Sequence, residues 1–307
     1  MVGAVFKRTA RYRYRRRRGP RPSAILVAIA FLAALVVAAV VTAATNHGAV
    51  NRTRSARAAA RDPEHRTSPR VRFRNSARHR RLESRTINAA LRYTPFMAAG
   101  TRRRRAIALS FDDGPSPYTA SIVATLVRMH VPATFFVVGQ QLRYFSAGLR
   151  DELRHGFDVG DHTENHAWLI RLNPAGQYAQ IHDAASRIEH LGAPFPRLFR
   201  PPYGAYDRQT IATLHRLKML MVLWSIDPGD WRAPGTKAIV SNVLSNSKPG
   251  AIVIMHDGGG DRSQTVAALP AIIRGLRRRH YQLVTVPQLL LLDPPPRHQR
   301  LPPLTGA

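Results

Sequence analysis

The sequence AIALSFDDGP, residues 106–115, carries the strongest indication of how this chain folds. It begins as a run of apolar residues, which is typical of a buried strand, and it ends in two adjacent carboxylates and a turn. Neighbouring side chains on a regular strand face opposite sides of the sheet, so Asp112 and Asp113 reach one site only if the strand ends there. Gly114 and Pro115 favour a turn at that point. The sequence therefore predicts a strand with two carboxylates at its carboxyl end.

A second polar stretch, HTENH at residues 162–166, is the natural partner of these carboxylates. Two imidazoles in one short segment, together with a carboxylate, form a ligand set that can bind a divalent ion. One of the two aspartates would then bind the metal, and the other would be left as a base. The sequence contains no cysteine, which excludes thiolate ligands and disulfide bonds.

From residue 106 onward, apolar runs alternate with amphipathic stretches. This alternation indicates an α/β fold, with a mostly parallel sheet and helices outside it. A chain of 307 residues is long enough for one α/β barrel. Strands are expected at 106–111, 133–138, 158–160, 198–200, 219–223, 251–255 and 282–284. Helices are expected at 118–130, 141–154, 173–190, 207–217, 236–245 and 266–279.

The candidate reactive residues follow the predicted strands. In chain order they are Asp112 and Asp113 after the first strand, His162 after the third, Arg200 at the end of the fourth, Asp227 and Asp230 after the fifth, and His256 after the sixth. In a parallel barrel the carboxyl ends of all strands meet at one face, where such enzymes hold their active sites. The sequence therefore predicts that these side chains share one site.

Positive charge is concentrated in the front third of the chain. The formal net charge is +29, and residues 1–105 hold 26 Arg and Lys against 3 Asp and Glu, whereas residues 106–307 hold 21 against 15. The arginines are not interleaved with aromatic residues that could stack on bases, and no motif that reads a nucleic-acid groove accompanies them. No specific nucleic-acid partner is therefore expected.

Residues 24–45 are predicted to form a transmembrane signal anchor. Residues 24–44 contain no charged residue, Pro or Gly, and a helix of that length crosses a hydrocarbon layer of ~30 Å. The basic residues at 1–23 favour a cytoplasmic tail, which places the rest of the chain outside the cell membrane. The alternative is a signal peptide cleaved after Ala44, which would make the protein secreted.

Residues 46–104 are rich in Arg, Ala, Ser and Thr and show no sustained period, which is typical of a disordered basic linker. A sharper alternative is contact with anionic wall polymers or lipid headgroups, which salt would weaken. The catalytic domain is then expected at 105–292, followed by an unstructured Pro-rich tail at 293–307. The oligomeric state is left open.

Five short motifs resemble those of the polysaccharide deacetylases, carbohydrate esterase family 4, which share the NodB homology domain. The resemblance covers about residues 105–291, and the motifs occur in the family's order. They are SFDDGP at 110–115, HTENH at 162–166, RPPYG at 200–204, DPGDW at 227–231 and IMH at 254–256, with Ile in place of the usual Leu in the last. The resemblance implies an irregular barrel of seven or eight β/α units, in agreement with the seven predicted strands.

The residues and the resemblance together suggest a metal site beside a base. Asp113, His162 and His166 supply one oxygen and two nitrogens, which leaves open positions for water and a substrate carbonyl, and the resemblance implies the same three ligands. Asp112 is the candidate general base that takes a proton from the attacking water. Arg200 resembles the family's arginine that positions this base, and a guanidinium suits a carboxylate partner.

The remaining candidate residues concern the departing amine and the acetyl group. His256 is the candidate general acid, because an amide nitrogen leaves readily only when it is protonated. The resemblance places Asp230 beside this histidine to orient it. The backbone N–H of Tyr203 is expected to be an oxyanion donor. Trp231 and Ile254 are expected to form an apolar wall against the acetyl methyl or the sugar face.

These expectations describe a hydrolase that uses one divalent metal ion to remove N-acetyl groups from an exported glycan. Zn²⁺ is the default ion, and Co²⁺, Mn²⁺, Ni²⁺ or Fe²⁺ also suit the ligands. The expected substrate is the N-acetylglucosamine of peptidoglycan, followed by chitin-like oligomers and then O-acetylated xylan. Two alternatives stay open, an amidohydrolase acting on small non-sugar amides and a glycan-binding module without turnover.

Overall fold

The computed structural model describes residues 77–297 and residue 299 of the chain. Its sheet contains eight strands, and every pairing between them is parallel. The strands are β1 (Phe96–Met97), β2 (Ala106–Asp112), β3 (Thr134–Val137), β4 (Asp158–Asp161), β5 (Leu198–Phe199), β6 (Leu220–Val222), β7 (Ala251–His256) and β8 (Gln282–Val284). The seven predicted strands are all present, and β1 is an addition that the sequence did not predict.

The sheet curls into an α/β half-barrel. The strand order is β1-β6-β5-β4-β3-β2-β7, and β8 also pairs with β2. An isolated bridge joins Ala99, just after β1, to Ala251 at the start of β7, and another joins Ile226 to Val253. These bridges bring the two ends of the sheet together, so the carboxyl ends of the strands surround one face.

The alternation of side chains along β2 determines what faces the barrel interior. All seven residues of β2 are buried. Ile107, Leu109 and Phe111 belong to the core cluster that includes residues of the outer helices. The even-numbered positions point the other way. Asp112 therefore faces the interior, at the carboxyl end of β2, and it is in register with His256 of β7.

Eight α-helices lie in the described part of the chain. They are α1 (Ala77–Leu91), α2 (Thr119–Arg128), α3 (Leu142–Arg154), α4 (Pro174–His190), α5 (Arg208–Leu217), α6 (Thr236–Ser245), α7 (Ser263–Arg278) and α8 (Val286–Leu292). The six predicted helices are present, and three of the eight have clear sequence start signals, one of them the capping box of Thr285 with Gln288 in α8. Asn173 caps α4 through Gly176 N, and Asp207 forms a capping box with Thr210 in α5.

The prediction of a disordered linker over residues 46–104 is wrong for its last part. Residues 77–91 form α1, which contacts α8, and residues 96–97 form β1 against β6. Ile87 and Ala90 are buried on one side of the helix, as the i, i+3 spacing requires. The many arginines of this stretch obscured these few apolar positions, and tertiary packing stabilises them.

The predicted tail at 293–307 also begins differently from the expectation. No helix or strand occurs at 293–297, but Asp293 is buried and its carboxylate accepts hydrogen bonds from the Thr101 hydroxyl and the Arg103 backbone N–H. The Gln299 amide donates to Thr94 Oγ1 at 3.1 Å. The first residues after α8 are therefore attached to the segment that precedes β2.

The predicted cytoplasmic tail, signal anchor and first part of the linker, residues 1–76, lie outside the described residues. Among the helices of residues 77–297, none combines the length and apolar character needed to cross a bilayer.

Candidate active site

A buried ion pair lies at the carboxyl end of β2. Arg200 Nη1 is 2.6 Å from Asp112 Oδ1, and the two side chains are 0% and 1% exposed. Arg200 also donates to Ser110 Oγ at 2.9 Å and to the Val222 carbonyl at 3.1 Å, and its guanidinium lies 4.0 Å from the centre of the Phe136 ring. Burial lowers the pKa of Arg200, while Asp112 opposes that shift. The pair fixes the orientation of the Asp112 carboxylate.

Asp113 reaches the same site because the backbone reverses at this residue. Its φ is +73°, in the left-handed region, so its side chain does not point away from that of Asp112 as it would in a continuing strand. Asp113 Oδ1 lies 3.4 Å from His162 Nε2 and 3.2 Å from His166 Nε2. Two tetrahedral ligands with bonds of about 2.0 Å lie about 3.3 Å apart, so these separations fit a shared ion.

His162 has a defined tautomer. It follows β4, it is buried, and its Nδ1 lies 2.7 Å from the Arg200 carbonyl oxygen. A carbonyl oxygen only accepts hydrogen bonds, so neutral His162 carries its proton on Nδ1 and presents the lone pair of Nε2 to Asp113. Donation from the second ring nitrogen to a backbone carbonyl is typical of metal-binding histidines.

His166 is oriented by an aromatic partner. Its Nδ1 lies 3.1 Å from the Tyr203 hydroxyl, and its backbone has φ +59°. Trp168 stacks on Tyr203 with ring centres 4.4 Å apart, which restrains the tyrosine. Burial, with a smaller effect of the neighbouring His162, lowers the pKa of His166, so the imidazole is neutral and able to act as a ligand.

The three candidate ligands together fit a divalent metal ion. Their ligand atoms all lie within 4.8 Å of one another. Burial by itself would raise the pKa of Asp113, but the imidazoles of His162, His166 and His256 more than offset this effect and lower it. Asp113 Oδ1 is buried and accepts no hydrogen bond from the residues that the structure describes. A cation would satisfy this orphaned oxygen, and one oxygen with two imidazole nitrogens suits Zn²⁺ and related ions.

A second buried carboxylate supports His256 on the other side of the site. Asp230 Oδ1 accepts from His256 Nδ1 at 2.8 Å, and Asp230 Oδ2 accepts from the His256 backbone N–H at 2.9 Å. The Thr265 hydroxyl donates to the same Oδ2 at 2.7 Å. Burial opposes the imidazolium charge, but the hydrogen bond and charge of Asp230, followed by the charges of Asp112 and Asp113, raise the pKa of His256 to about 9.

These groups line one cleft of about 650 Å³. Nine of the eleven residues singled out from the sequence lie on its walls, namely Asp112, Asp113, His162, His166, Tyr203, Asp227, Trp231, Ile254 and His256. The other two, Arg200 and Asp230, are buried behind Asp112 and His256. Tyr203 and Trp231 are 48% and 47% exposed, which is unusual for large aromatic side chains and excludes ordinary core packing for Trp231.

Several supporting contacts were not anticipated from the sequence. The Ser110 hydroxyl binds Arg200, the Tyr203 phenol contacts His166, and Thr265 holds Asp230. Ser110 belongs to a motif that was recognised, but its hydroxyl carries no signal of its partner. Thr265 lies 35 residues from Asp230, and no sequence signal around it points to that partner. Only the folded arrangement identifies such partners.

Comparison with known proteins agrees with this site. The family profile described as polysaccharide deacetylase matches residues 99–222. A chitooligosaccharide deacetylase of Bradyrhizobium sp. (strain ANU 289) is 39% identical over 202 residues, which cover 60% of this chain and 90% of that protein. A peptidoglycan-N-acetylglucosamine deacetylase of Bacillus cereus is 39% identical over 187 residues, covering 60% of this chain and 87% of the relative.

Among solved structures, a peptidoglycan N-acetylglucosamine deacetylase bound to a naphthyl N-oxidanyl-benzamide is similar to this chain, with a TM-score of 0.63 and 28% identity. The similarity covers 68% of this chain and 98% of that structure. The similarity in fold and in sequence therefore extends over almost the whole length of these relatives. The chain belongs to the polysaccharide deacetylase family.

Proposed function

We propose that this protein is a metal-dependent hydrolase that removes N-acetyl groups from a polysaccharide outside the cytoplasm. The observation that carries the proposal is the convergence of three candidate ligands with Asp112 and His256 in one cleft. The similar proteins are named as deacetylases of peptidoglycan and of chitooligosaccharides. The N-acetylglucosamine of peptidoglycan or of chitin-like oligomers is therefore the proposed substrate.

Asp113, His162 and His166 would hold the metal ion, with Zn²⁺ as the first candidate. When bound, such an ion would polarise the acetamide carbonyl and make a water molecule more acidic. The protein contributes the orientation of the ligands, because His162 is held by the Arg200 carbonyl and His166 by the Tyr203 hydroxyl.

Asp112 and His256 would transfer the protons of the reaction. Asp112 accepts the proton of the attacking water, and its pairing with Arg200 keeps the carboxylate oriented toward the cleft. His256 then donates a proton to the departing amine nitrogen. A pKa of about 9 keeps His256 protonated at neutral pH, as this role requires, and Asp230 holds its Nδ1 side.

The cleft walls would bind the acetylated sugar. The Tyr203 backbone N–H is proposed as the donor to the oxyanion that forms at the acetyl carbon. The side chains of Trp231 and Ile254 offer an apolar surface to the acetyl methyl or the sugar face, and both line the cleft. The exposed Trp231 ring suits stacking against a sugar, since one face of a pyranose is apolar.

The location of the protein is proposed from residues 1–76. A signal anchor at 24–45, with the basic tail at 1–23 in the cytoplasm, would place the catalytic domain next to the cell wall. The arginines between the anchor and α1 would then be available to anionic wall polymers or lipids. Protease added to intact spheroplasts would cleave the domain if this orientation is correct and would leave it intact if the domain is cytoplasmic.

The function is tested by measuring acetate release by the full-length protein, with each candidate metal, from N-acetylglucosamine oligomers and from peptidoglycan. Acetate release that a chelator abolishes and Zn²⁺ restores is the expected result. Ureides and cyclic imides are assayed in parallel. Turnover of those amides without acetate release from glycans would overturn the substrate class, and glycan binding without any turnover would overturn the enzymatic proposal.

A further inference from the structure

The loop that follows the candidate acid lies closely against a candidate metal ligand. Residues 257–262 read DGGGDR, directly after β7. A Cβ atom on Gly258 would be 2.1 Å from the backbone carbonyl oxygen of Asp113, and a Cβ on Gly259 would be 2.3 Å from Asp113 Oδ2. Gly259 also has φ +73°, which L side chains rarely adopt. Glycine is thus required for the loop to cover Asp113, and the loop limits where the carboxylate can go.

Arg262 holds this loop in place. Its side chain is buried, its Nε donates to the Gly258 carbonyl at 2.6 Å, and its Nη2 donates to the Gly259 carbonyl at 2.9 Å. These are the two glycines that lie against Asp113. A guanidinium presents five N–H donors in one plane, so a single arginine can bind several carbonyl groups at once.

The same guanidinium reaches the loop on the acid side. Arg262 Nη1 donates to the Trp231 carbonyl at 3.3 Å and to the Asp261 carbonyl at 3.2 Å. Trp231 directly follows Asp230, the carboxylate that binds His256. The Arg262 side chain therefore connects two loops. One covers the candidate ligand Asp113, and the other carries Asp230, the partner of His256.

The partners of the Arg262 guanidinium are backbone carbonyl groups. Among residues 77–297, no carboxylate oxygen lies within the 4.0 Å ion-pair distance of its guanidinium, in contrast to Arg200 and Arg187. A buried cation is costly unless polar groups compensate it, and here four carbonyl oxygens do so. A planar donor that binds four carbonyls in two loops is suited to fixing their relative position.

We propose that Arg262 is a positioning residue for the deacetylation, an inference that rests on the proposed function. It acts through Gly258 and Gly259 to hold Asp113 in the orientation that binds metal. It acts through Trp231 to keep the Asp230 loop, and with it His256, at a constant spacing from that ligand. Loss of Arg262 weakens metal binding even where the fold persists.

The test compares Arg262→Met and Arg262→Lys with a matched control, Arg277→Met, in the full-length protein. Arg277 also donates to two backbone carbonyls, those of Met129 at 2.6 Å and His130 at 3.3 Å, but it lies in the last turn of α7. The measurements are the Zn²⁺ dissociation constant from competition with a chromophoric chelator, the melting temperature of the metal-free protein, and kcat at saturating Zn²⁺.

Arg262→Met is expected to weaken Zn²⁺ binding by about 10- to 100-fold, as removal of a group that supports a ligand does. Arg262→Lys is expected to show a smaller loss, because an ammonium keeps the charge but cannot span both loops. The control should bind Zn²⁺ as the wild type does, while its metal-free melting temperature falls as far as that of Arg262→Met. A merely structural role would change melting temperature alone.

A second pair of variants keeps the test informative if Arg262→Met does not fold. Gly259→Ala adds a methyl group against Asp113, whereas Gly192→Ala adds one at φ +100° with no neighbouring atom within 4 Å. Only Gly259→Ala is expected to weaken Zn²⁺ binding, by about tenfold or more. If Gly259→Ala and either Arg262 variant both bind Zn²⁺ with wild-type affinity, the inference is overturned and the proposed function is not affected. A wild-type protein that binds no Zn²⁺ would overturn the proposed function as well.

Discussion

On each wall of the cleft, a reactive side chain is paired with a buried side chain of opposite charge, and the charges are exchanged between the two walls. On one wall the carboxylate of Asp112 faces the cleft, and the cation Arg200 is buried behind it. On the other wall the imidazole of His256 faces the cleft, and the carboxylate of Asp230 is buried behind it. The supporting side chains are both 0% exposed, whereas His256 is 13% exposed.

The difference between the walls lies in which group titrates. Arg200 stays protonated at any pH at which the protein is folded, so the Asp112 wall keeps its ion pair through the neutral and alkaline range. The His256 wall loses its charge when pH rises through the pKa of the imidazole, about 9. The Asp112 wall, or base wall, is therefore insensitive to alkaline pH. The His256 wall, or acid wall, sets the upper pH limit of activity.

The largest effect is expected from Asp112→Asn, which removes the base and leaves the three ligands unchanged. The value of kcat for acetate release should fall by roughly 10³- to 10⁴-fold, near the upper end for general acid–base catalysis, while Zn²⁺ affinity changes little. Asp183→Asn, at an exposed position of α4, is the matched control. A decrease of less than tenfold in Asp112→Asn would remove this residue from the mechanism.

Arg200→Met tests whether the base wall depends on its buried cation. Breaking a buried pair from one side leaves an uncompensated charge on Asp112, so the free energy of unfolding should fall by about 3–5 kcal/mol. Arg197, which donates to the Lys218 carbonyl at the protein surface, offers the control Arg197→Met, with a loss of about 1 kcal/mol. Chemical denaturation of the metal-free proteins measures both, and equal losses would show that the pair has no special role.

Asp230→Asn should affect the acid wall in a different way. The value of kcat is expected to fall by about 10²-fold, and the alkaline limb of the pH profile should move from about 9 toward the ordinary histidine value of about 6.5. The direction follows because His256 must be protonated to donate, so activity is present below its pKa and is lost above it. An alkaline limb that stays at about 9 in Asp230→Asn would show that another group sets it.

The smallest effect is expected from Thr265→Val, which removes one hydrogen bond to Asp230 and leaves the Asp230–His256 pair in place. A hydrogen bond to a charged group contributes about 1.5–3 kcal/mol, and only part of this reaches His256. We therefore expect a shift of the alkaline limb by less than about one pH unit. Thr125→Val, at a buried threonine of α2, should leave the limb unchanged. A shift as large as in Asp230→Asn would indicate that Thr265 acts on His256 directly.

Much of the fold could be predicted from the sequence, because its signals are local. The apolar run ending in Asp112 and Asp113 predicts both a strand and its end, and each later motif lies at the end of a strand or in the loop after it. The stretch at 77–97 differs from the prediction, because its arginines indicate a linker while α1 and β1 depend on contacts with α8 and β6. Composition reflects only the residues of a segment, whereas its folding here depends on the other elements that pack against it.

The sequence by itself determined most of the candidate site, because the motifs that carry its residues lie at or just beyond strand ends and parallel strands bring those ends together. It did not determine how the side chains are held. The proton position on His162, the pairing of Arg200 with Asp112, and the contacts of Arg262 with two loops all join residues far apart in the chain. Only the tertiary structure decides such contacts, because hydrogen bonds and ion pairs depend on distances of a few ångströms that no sequence spacing specifies.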